Sequence, residues 1–240
     1  GGRARWVYLS ARRLVDDEGK NEGTVVVIDD VSERELVLDS FSRYVSRDVV
    51  NRLLARGAVE LTGERKIITV LFADIRGFTG LAERLSPEVL HNLLNRYFRV
   101  MIEAVTDHGG IVDKFVGDKV MAIFGHGHEP DAGASAAVHA ARTLHAGLAE
   151  MQEAEPLVVG IGINTGEVVL GNVGSEQRME FTAIGDAVNV ADRLQHLARE
   201  GQILLGTGTA QRVTGLQLRS WGPTSLRGRT ESIEVFELER

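Results

Sequence analysis

Apolar and polar residues alternate along the first thirty positions. Arg5-Trp6-Val7-Tyr8-Leu9 and Thr24-Val25-Val26-Val27-Ile28 flank the polar stretch Asp16-Asp17-Glu18-Gly19-Lys20, the pattern of two paired strands around a solvated turn. A segment this short cannot bury a core of its own. From Ser32 onward the period changes. Leu38, Phe41, Val45, Val49 and Leu53 recur at three- and four-residue spacing, predicting a helix over 32–56. Ser32 is its N-cap, Glu35 follows three residues on, and Gly57 stops it. Arg34, Arg43, Arg47, Arg52 and Arg56 flank the apolar stripe, which can pack on its own domain or pair with a second copy of itself.

From about Glu60 to Arg240 strands and helices follow one another. Ile67–Phe72 is apolar except for Thr69, as a strand buried on both faces requires. Ser86-Pro87 opens an amphipathic helix carrying Leu90, Leu93, Leu94, Tyr97, Met101 and Val105, and Gly109-Gly110 closes it. Ile111–Val116 and Lys119–Phe124 form a hairpin turning at Gly117-Asp118. An Ala-rich helix spans Asp131 to about Met151, and strands recur at Leu157–Asn164, Glu167–Leu170 and Met179–Ile184. A helix over Asp186–Leu197 and strands at Gln202–Leu205 and Ser232–Leu238 complete the series. The order strand–helix–hairpin–helix–strand predicts an α+β fold, a palm-type, ferredoxin-like split βαβ sheet with helices mainly on one face.

Composition changes this picture little but excludes several functions. With 43% apolar and 25% charged residues the 240-residue chain is an ordinary globular protein. A net charge of −7 with no dominant basic stretch argues against nucleic acid as a partner. The absence of cysteine removes thiolate metal sites and cysteine nucleophiles, and fits a cytoplasmic location. No apolar run is long enough to span a membrane. The start at Gly1-Gly2, without methionine, points to a fragment of something longer.

Two carboxylates carry the candidate chemistry. Asp74 directly follows the buried strand, in Phe72-Ala73-Asp74-Ile75-Arg76-Gly77-Phe78-Thr79, and Asp118 sits at the hairpin tip, in Lys114-Phe115-Val116-Gly117-Asp118-Lys119. In a split βαβ sheet the first strand lies beside this hairpin, so both carboxylates reach one sheet edge. Hard divalent cations take oxygen ligands, and magnesium commonly takes one or two carboxylates plus phosphate oxygens. The turn after Asp74 presents backbone amides where an anion can sit. Farther on, Asn189 and Arg193 lie four residues apart on one helix and share a face, a neutral amide and a fixed cation suited to a sugar oxygen and a phosphate. His126 and His128 sit where a loop leaves a strand. Gly171 and Gly174 are read as a hairpin turn.

The ordered set F-x-D-[IV]-x-G-[FS]-[TS], K-x-x-G-D and G-x-x-[VI]-N-x-A-x-R resembles the three signatures of class III adenylyl and guanylyl cyclases, across roughly 180 residues. The resemblance implies that Asp74 and Asp118, assisted by the carbonyl of Ile75, hold two Mg2+ or Mn2+ ions per active site. One ion activates the ribose 3′-hydroxyl for attack on the α-phosphate, and the other holds the triphosphate. Phe78 and Thr79 would then line the substrate, Asn189 would orient the ribose and Arg193 would neutralise the α-phosphoryl group. A late basic residue would bind the terminal phosphates, Arg229 being favoured over Arg227.

The family positions that read the base fall on Lys114 and Thr182. Adenine offers an acceptor at N1 and a donor at its 6-amino group; lysine only donates and threonine can accept. The expected reaction is therefore ATP to 3′,5′-cyclic AMP and pyrophosphate. Many family members carry aspartate where Thr182 stands, which weakens the second contact without favouring guanine. The metal aspartates and the Lys/Thr/Asn/Arg set come from opposite chains in this family. Since one chain carries both, a homodimer with two sites is implied. The alternative is a catalytically inactive cyclase fold serving as a nucleotide-binding or signalling module. A diguanylate cyclase is disfavoured because Val116-Gly117-Asp118-Lys119 lacks the G-G-[DE]-E-F turn. The ending Val27-Ile28-Asp29-Asp30-Val31-Ser32-Glu33-Arg34-Glu35 resembles the close of PAS sensor domains. The expected plan is a PAS-like remnant over 1–31, a helical linker over 32–57 and a cyclase domain over 60–240.

Overall fold

The structure is a computed structural model that describes residues 5–15, 17, 19–33, 36, 63–127, 129–151, 156–175, 178–225 and 232–239. The chain divides into two compact units, Gly1–Val59 and Glu60–Arg240. In the first, β1 (Val7–Val15) and β2 (Asn21–Asp30) form the expected antiparallel hairpin. Its base is tied by Trp6 N–H donating to Ser32 Oγ (2.8 Å) and by the Arg5–Asp30 ion pair (3.0 Å). Apart from Ser32, Glu33 and Leu36, which are helical, the helix expected over 32–56 lies outside the described residues.

The second unit is an eight-stranded mixed sheet. Its elements are β3 (Gly63–Ile75), α1 (Phe78–Arg84), α2 (Pro87–Asp107), β4 (Ile111–Val116), β5 (Lys119–Phe124), α3 (Pro130–Glu150), β6 (Val159–Ser175), β7 (Arg178–Ile184), α4 (Asp186–Leu197), β8 (Ile203–Gly206), α5 (Thr207–Ala210), β9 (Leu218–Thr224) and β10 (Ile233–Leu238). Strand order is β4-β5-β3-β6-β8-β10-β9, with β7 pairing the C-terminal half of β6. The first strand of the unit thus lies between the hairpin and β6, as the split βαβ reading requires, and the α+β class is as expected.

Burial explains the sequence pattern. Leu71, Ala73 and Ile75 of β3 face one side with Val120, Ala122 and Phe124 of β5, beneath Tyr97 and Met101 of α2 and the Ala137–Ala141–Leu144 stripe of α3. Ile68, Val70 and Phe72 face the other side with Met121 and Ile123, under Ala187 and Ala191 of α4. Each fully buried Leu, Ile or Phe contributes about 1.5–3 kcal/mol. The two long helices therefore share one face and α4 alone takes the other. Ser86 caps α2 by accepting from Val89 N–H (3.4 Å), with Pro87 in the first helical position.

Two expectations need correction. The strands read separately at Leu157–Asn164 and Glu167–Leu170 are parts of one 17-residue strand, β6. Thr165 does not break it because its hydroxyl is satisfied internally, bonded to Thr69 Oγ1 (2.8 Å) and Thr209 Oγ1 (2.9 Å). Gly171 and Gly174 also lie within β6, not in a turn, because the strand continues there as the partner of β7: Gly171 pairs with Thr182 and Gly174 with Met179. Strand β9 was not anticipated, because Leu218–Thr224 buries little and carries Gly222 and Pro223.

Candidate active site

Asp74 is the penultimate residue of β3, paired with Gly160 of β6. Asp118 follows Gly117, whose φ of +65° gives the tight hairpin a left-handed residue that a side chain would strain. Because β5 lies beside β3, this tip reaches the end of β3, and Ile75 N–H donates to Asp118 Oδ2 (3.2 Å). Burial, then the charge of the Asp74 carboxylate, push Asp118 up to about 6. Tyr97, fully buried in the core, has its phenol pushed up by burial and by the charges of Asp118 and Asp74.

Two residues that the sequence did not single out hold Asp74 in place. Gln195 Nε2 donates to Asp74 Oδ2 (3.1 Å), and Arg76 Nη1 lies 3.7 Å from the same oxygen. Arg76 in turn donates from Nη2 to the backbone carbonyl of Gln195. Gly160 makes room for this guanidinium, since a Cβ there would lie 2.3 Å from Arg76 Nη2. Gln195 was detectable: it completes the spacing Ala191, Leu194, Gln195, Ala198, so a polar residue occupies a position of the buried stripe. Arg76 carried no such signal.

The hairpin also holds the second cluster. Between Val112 and Lys114 the pairing with β5 slips, so that Val112 faces Ala122, Lys114 faces Met121 and Asp113 is the extra residue of a bulge. Strand alternation would send Asp113 and Lys114 to opposite faces, yet both reach the same cluster. Thr182 Oγ1 of β7 donates to Asp113 Oδ2 (2.9 Å), and Lys114 Nζ lies 3.4 Å from that oxygen and 2.5 Å from Glu180 Oε1. Lys114 and Thr182 are thereby brought together within one chain. Asp113 was missed because a bulge has no signature in strand periodicity.

On α4, Asn189 is exposed and Arg193 half-buried, both outside the stripe of Ala187, Val190, Ala191 and Leu194. Lys119 Nζ, one residue after Asp118, pairs with Asp192 Oδ1 (2.8 Å), which ties the hairpin to α4. Phe78 is half-buried against the α2–α3 side of the core, and Thr79 is exposed. Arg227 and Arg229 lie outside the described residues, as does His128. The backbone carbonyl of His126 accepts from Lys66 Nζ (3.2 Å), which suits a residue in a connecting loop.

The donor set fits hard divalent cations. Asp74 and Asp118 present like charges to one place, an arrangement that a cation neutralises, and both offer oxygen. Among the described residues no group of three or more His, Asp or Glu side chains gathers elsewhere as a metal site.

A family model described as "Adenylate and Guanylate cyclase catalytic domain" matches residues 62–239. An uncharacterized protein of Mycobacterium tuberculosis is 37% identical over 212 residues, covering 86% of this chain and 39% of that protein. An adenylate cyclase of Anabaena cylindrica is 31% identical over 221 residues, covering 84% of this chain and 43% of that protein. Among solved structures, the adenylyl cyclase CyaB from P. aeruginosa superposes with a TM-score of 0.69 at 35% identity, over 75% of this chain and 97% of that one. The guanylyl cyclase Cya2 gives 0.68 at 33% identity, over 73% and 93%. The chain belongs to the adenylate and guanylate cyclase catalytic-domain family. It spans about two-fifths of the length of the curated relatives it matches. No helix among the described residues is long and apolar enough to cross a membrane.

Proposed function

We propose that this domain is an adenylate cyclase, converting ATP to 3′,5′-cyclic AMP and pyrophosphate at two equivalent sites in a homodimer. The observation that carries this reading is the meeting of Asp74 and Asp118 at the β3–hairpin edge, with the Ile75 amide on Asp118. These carboxylates, with the Ile75 carbonyl, would hold two Mg2+ or Mn2+ ions. Such ions, when bound, lower the pKa of an attacking hydroxyl and neutralise a polyphosphate.

The remaining work belongs to the side chains. The ribose 3′-oxygen attacks the α-phosphorus, its proton passes to solvent water, and the bond to the bridging oxygen breaks with its electron pair leaving on pyrophosphate. Arg193 neutralises charge on the α-phosphoryl group as that bond breaks, and Asn189 orients the ribose for in-line attack. Phe78 and Thr79 line the triphosphate, and Arg229 binds its terminal phosphates. Lys114 donates to adenine N1 and Thr182 accepts from the 6-amino group, a pairing supported by their convergence around Asp113. Likeness to an adenylate cyclase at 31% identity and to a guanylyl cyclase structure at 33% leaves the base to these residues. The N-terminal hairpin is the closing hairpin of a PAS-like sensor, joined through the 32–57 linker to the cyclase domain.

Purified protein incubated with manganese and either ATP or GTP, with products separated by chromatography, tests this reading. Cyclic AMP and pyrophosphate in equal amounts, with ATP favoured, are expected. Hydrolysis to ADP, or preferential formation of cyclic GMP, would contradict it.

A further inference from the structure

Threonine is an ambiguous reader of a purine. Its hydroxyl has one proton and two lone pairs, so it can accept from the 6-amino group of adenine or donate to the 6-oxo group of guanine. Thr182 alone therefore discriminates poorly. Its surroundings remove the ambiguity. Thr182 is 7% exposed, and its hydroxyl donates to Asp113 Oδ2 at 2.9 Å. The Asp113 side chain is 2% exposed, and an ionised carboxylate only accepts. Burial raises the Asp113 carboxyl above the ordinary aspartate range, and the Thr182 hydrogen bond and the Lys114 ammonium, 3.4 Å from the same oxygen, oppose that shift by favouring the charged form.

We propose that Asp113 sets the hydrogen-bond polarity of the base site: it takes the Thr182 proton, leaving only oxygen lone pairs for the nucleotide and so selecting the 6-amino group of adenine over the 6-oxo group of guanine. The inference rests on the reading of Lys114 and Thr182 as the base-recognising pair. Asp113 is a positioning residue, acting through Thr182 from behind it. The bulge after Val112 is what makes this possible, by turning two consecutive residues into one cluster. Lys114 supplies the complementary donor, held by Asp113 and by Glu180 at 2.5 Å. The site thus keeps one pure donor and one pure acceptor although it lacks a carboxylate at position 182.

The test is the ratio of kcat/KM for ATP to that for GTP, in wild type, Asp113→Ala, Thr182→Val and the double variant. Freeing the Thr182 hydroxyl removes one buried mismatch against guanine, so Asp113→Ala should lower the ratio by roughly tenfold. Thr182→Val should lower it as well. In the Thr182→Val background Asp113→Ala should change the ratio far less than in wild type, because the residue through which it acts has gone and Glu180 still holds Lys114. A merely structural role would change total activity or thermal stability and leave the ratio alone. Should Asp113→Ala fail to fold, Asp113→Leu offers similar bulk without an acceptor and is held to the same outcome. If wild type prefers ATP and Thr182→Val loses that preference while the Asp113 variants keep it, the Asp113 inference is wrong and the base reading stands. If wild type prefers GTP, both are wrong.

Discussion

Asp118 illustrates how a residue proposed to bind metal opposes the fold that carries it. Its carboxyl is pushed up to about 6 by burial and by Asp74, so the folded chain holds a proton at pH values where the unfolded chain has released it. In metal-free protein, stability from this group is present below the ordinary aspartate range and is lost as pH rises towards 6. Asp118→Asn should therefore melt higher than wild type at pH 7 without metal, and the difference should shrink to a small fraction at pH 4, near the unfolded aspartate value. Calorimetry at the two pH values checks this, and equal melting at pH 7 would contradict it. Metal must displace the same proton, so the metal concentration for half-maximal activity should rise as pH falls below about 6. Asp74→Ala and Asp118→Ala should each remove turnover with the fold intact by circular dichroism. Arg193→Ala should lower kcat by about 10²–10³, the scale of losing one donor to developing charge.

At the scale of elements, the site depends on how closely α4 lies on β6. A Cβ at Gly162 would fall 2.1 Å from the backbone nitrogen of Gln195 and 2.3 Å from the carbonyl oxygen of Ala191, and neither can swing aside. Gly162→Ala should lift α4, destabilise the domain by about 1–3 kcal/mol or more, and loosen the Gln195 grip on Asp74. Gln195→Leu keeps the packing and removes only the hydrogen bond to Asp74. It should raise the half-saturating manganese concentration more than it lowers kcat at saturating metal; an unchanged metal requirement would show that Asp74 needs no such support. These contacts also mark where sequence reading stops. The apolar run of β3, the stripe of α2 and the tight hairpin at Gly117 are local patterns, and each was visible in the chain. So were Asp74 and Asp118, since a strand end and a hairpin tip on neighbouring strands must meet. Asp113, Arg76 and the unbroken course of β6 through Thr165 depend on partners about 70 to 120 residues away. No local period encodes such pairings.

At the scale of the whole molecule, the decisive question is whether one chain serves one site with its aspartates and another with its base and phosphate readers, as the proposed homodimer requires. Lys114 and Asp118 sit on one hairpin, yet Lys114 turns to Asp113 and Glu180 while Asp118 turns to Ile75. That divergence supports each site taking Asp74 and Asp118 from one chain, and Lys114, Thr182, Asn189 and Arg193 from the other. The 32–57 linker would then couple pairing of the chains to the upstream segment. Deleting residues 1–56 should weaken dimerisation in sedimentation and make specific activity depend more steeply on protein concentration. The most direct measurement is complementation. Asp74→Ala and Arg193→Ala should each be inactive alone, because every site of each homodimer carries a lesion. In a mixed dimer one site collects both lesions and the other none. With random exchange about half the dimers are mixed, so the mixture should recover about a quarter of wild-type activity by the counting of two-fold symmetry. Lys114→Ala with Asp118→Ala should recover likewise. No recovery from either pair, with chain exchange confirmed by fluorescence transfer, would contradict the shared site.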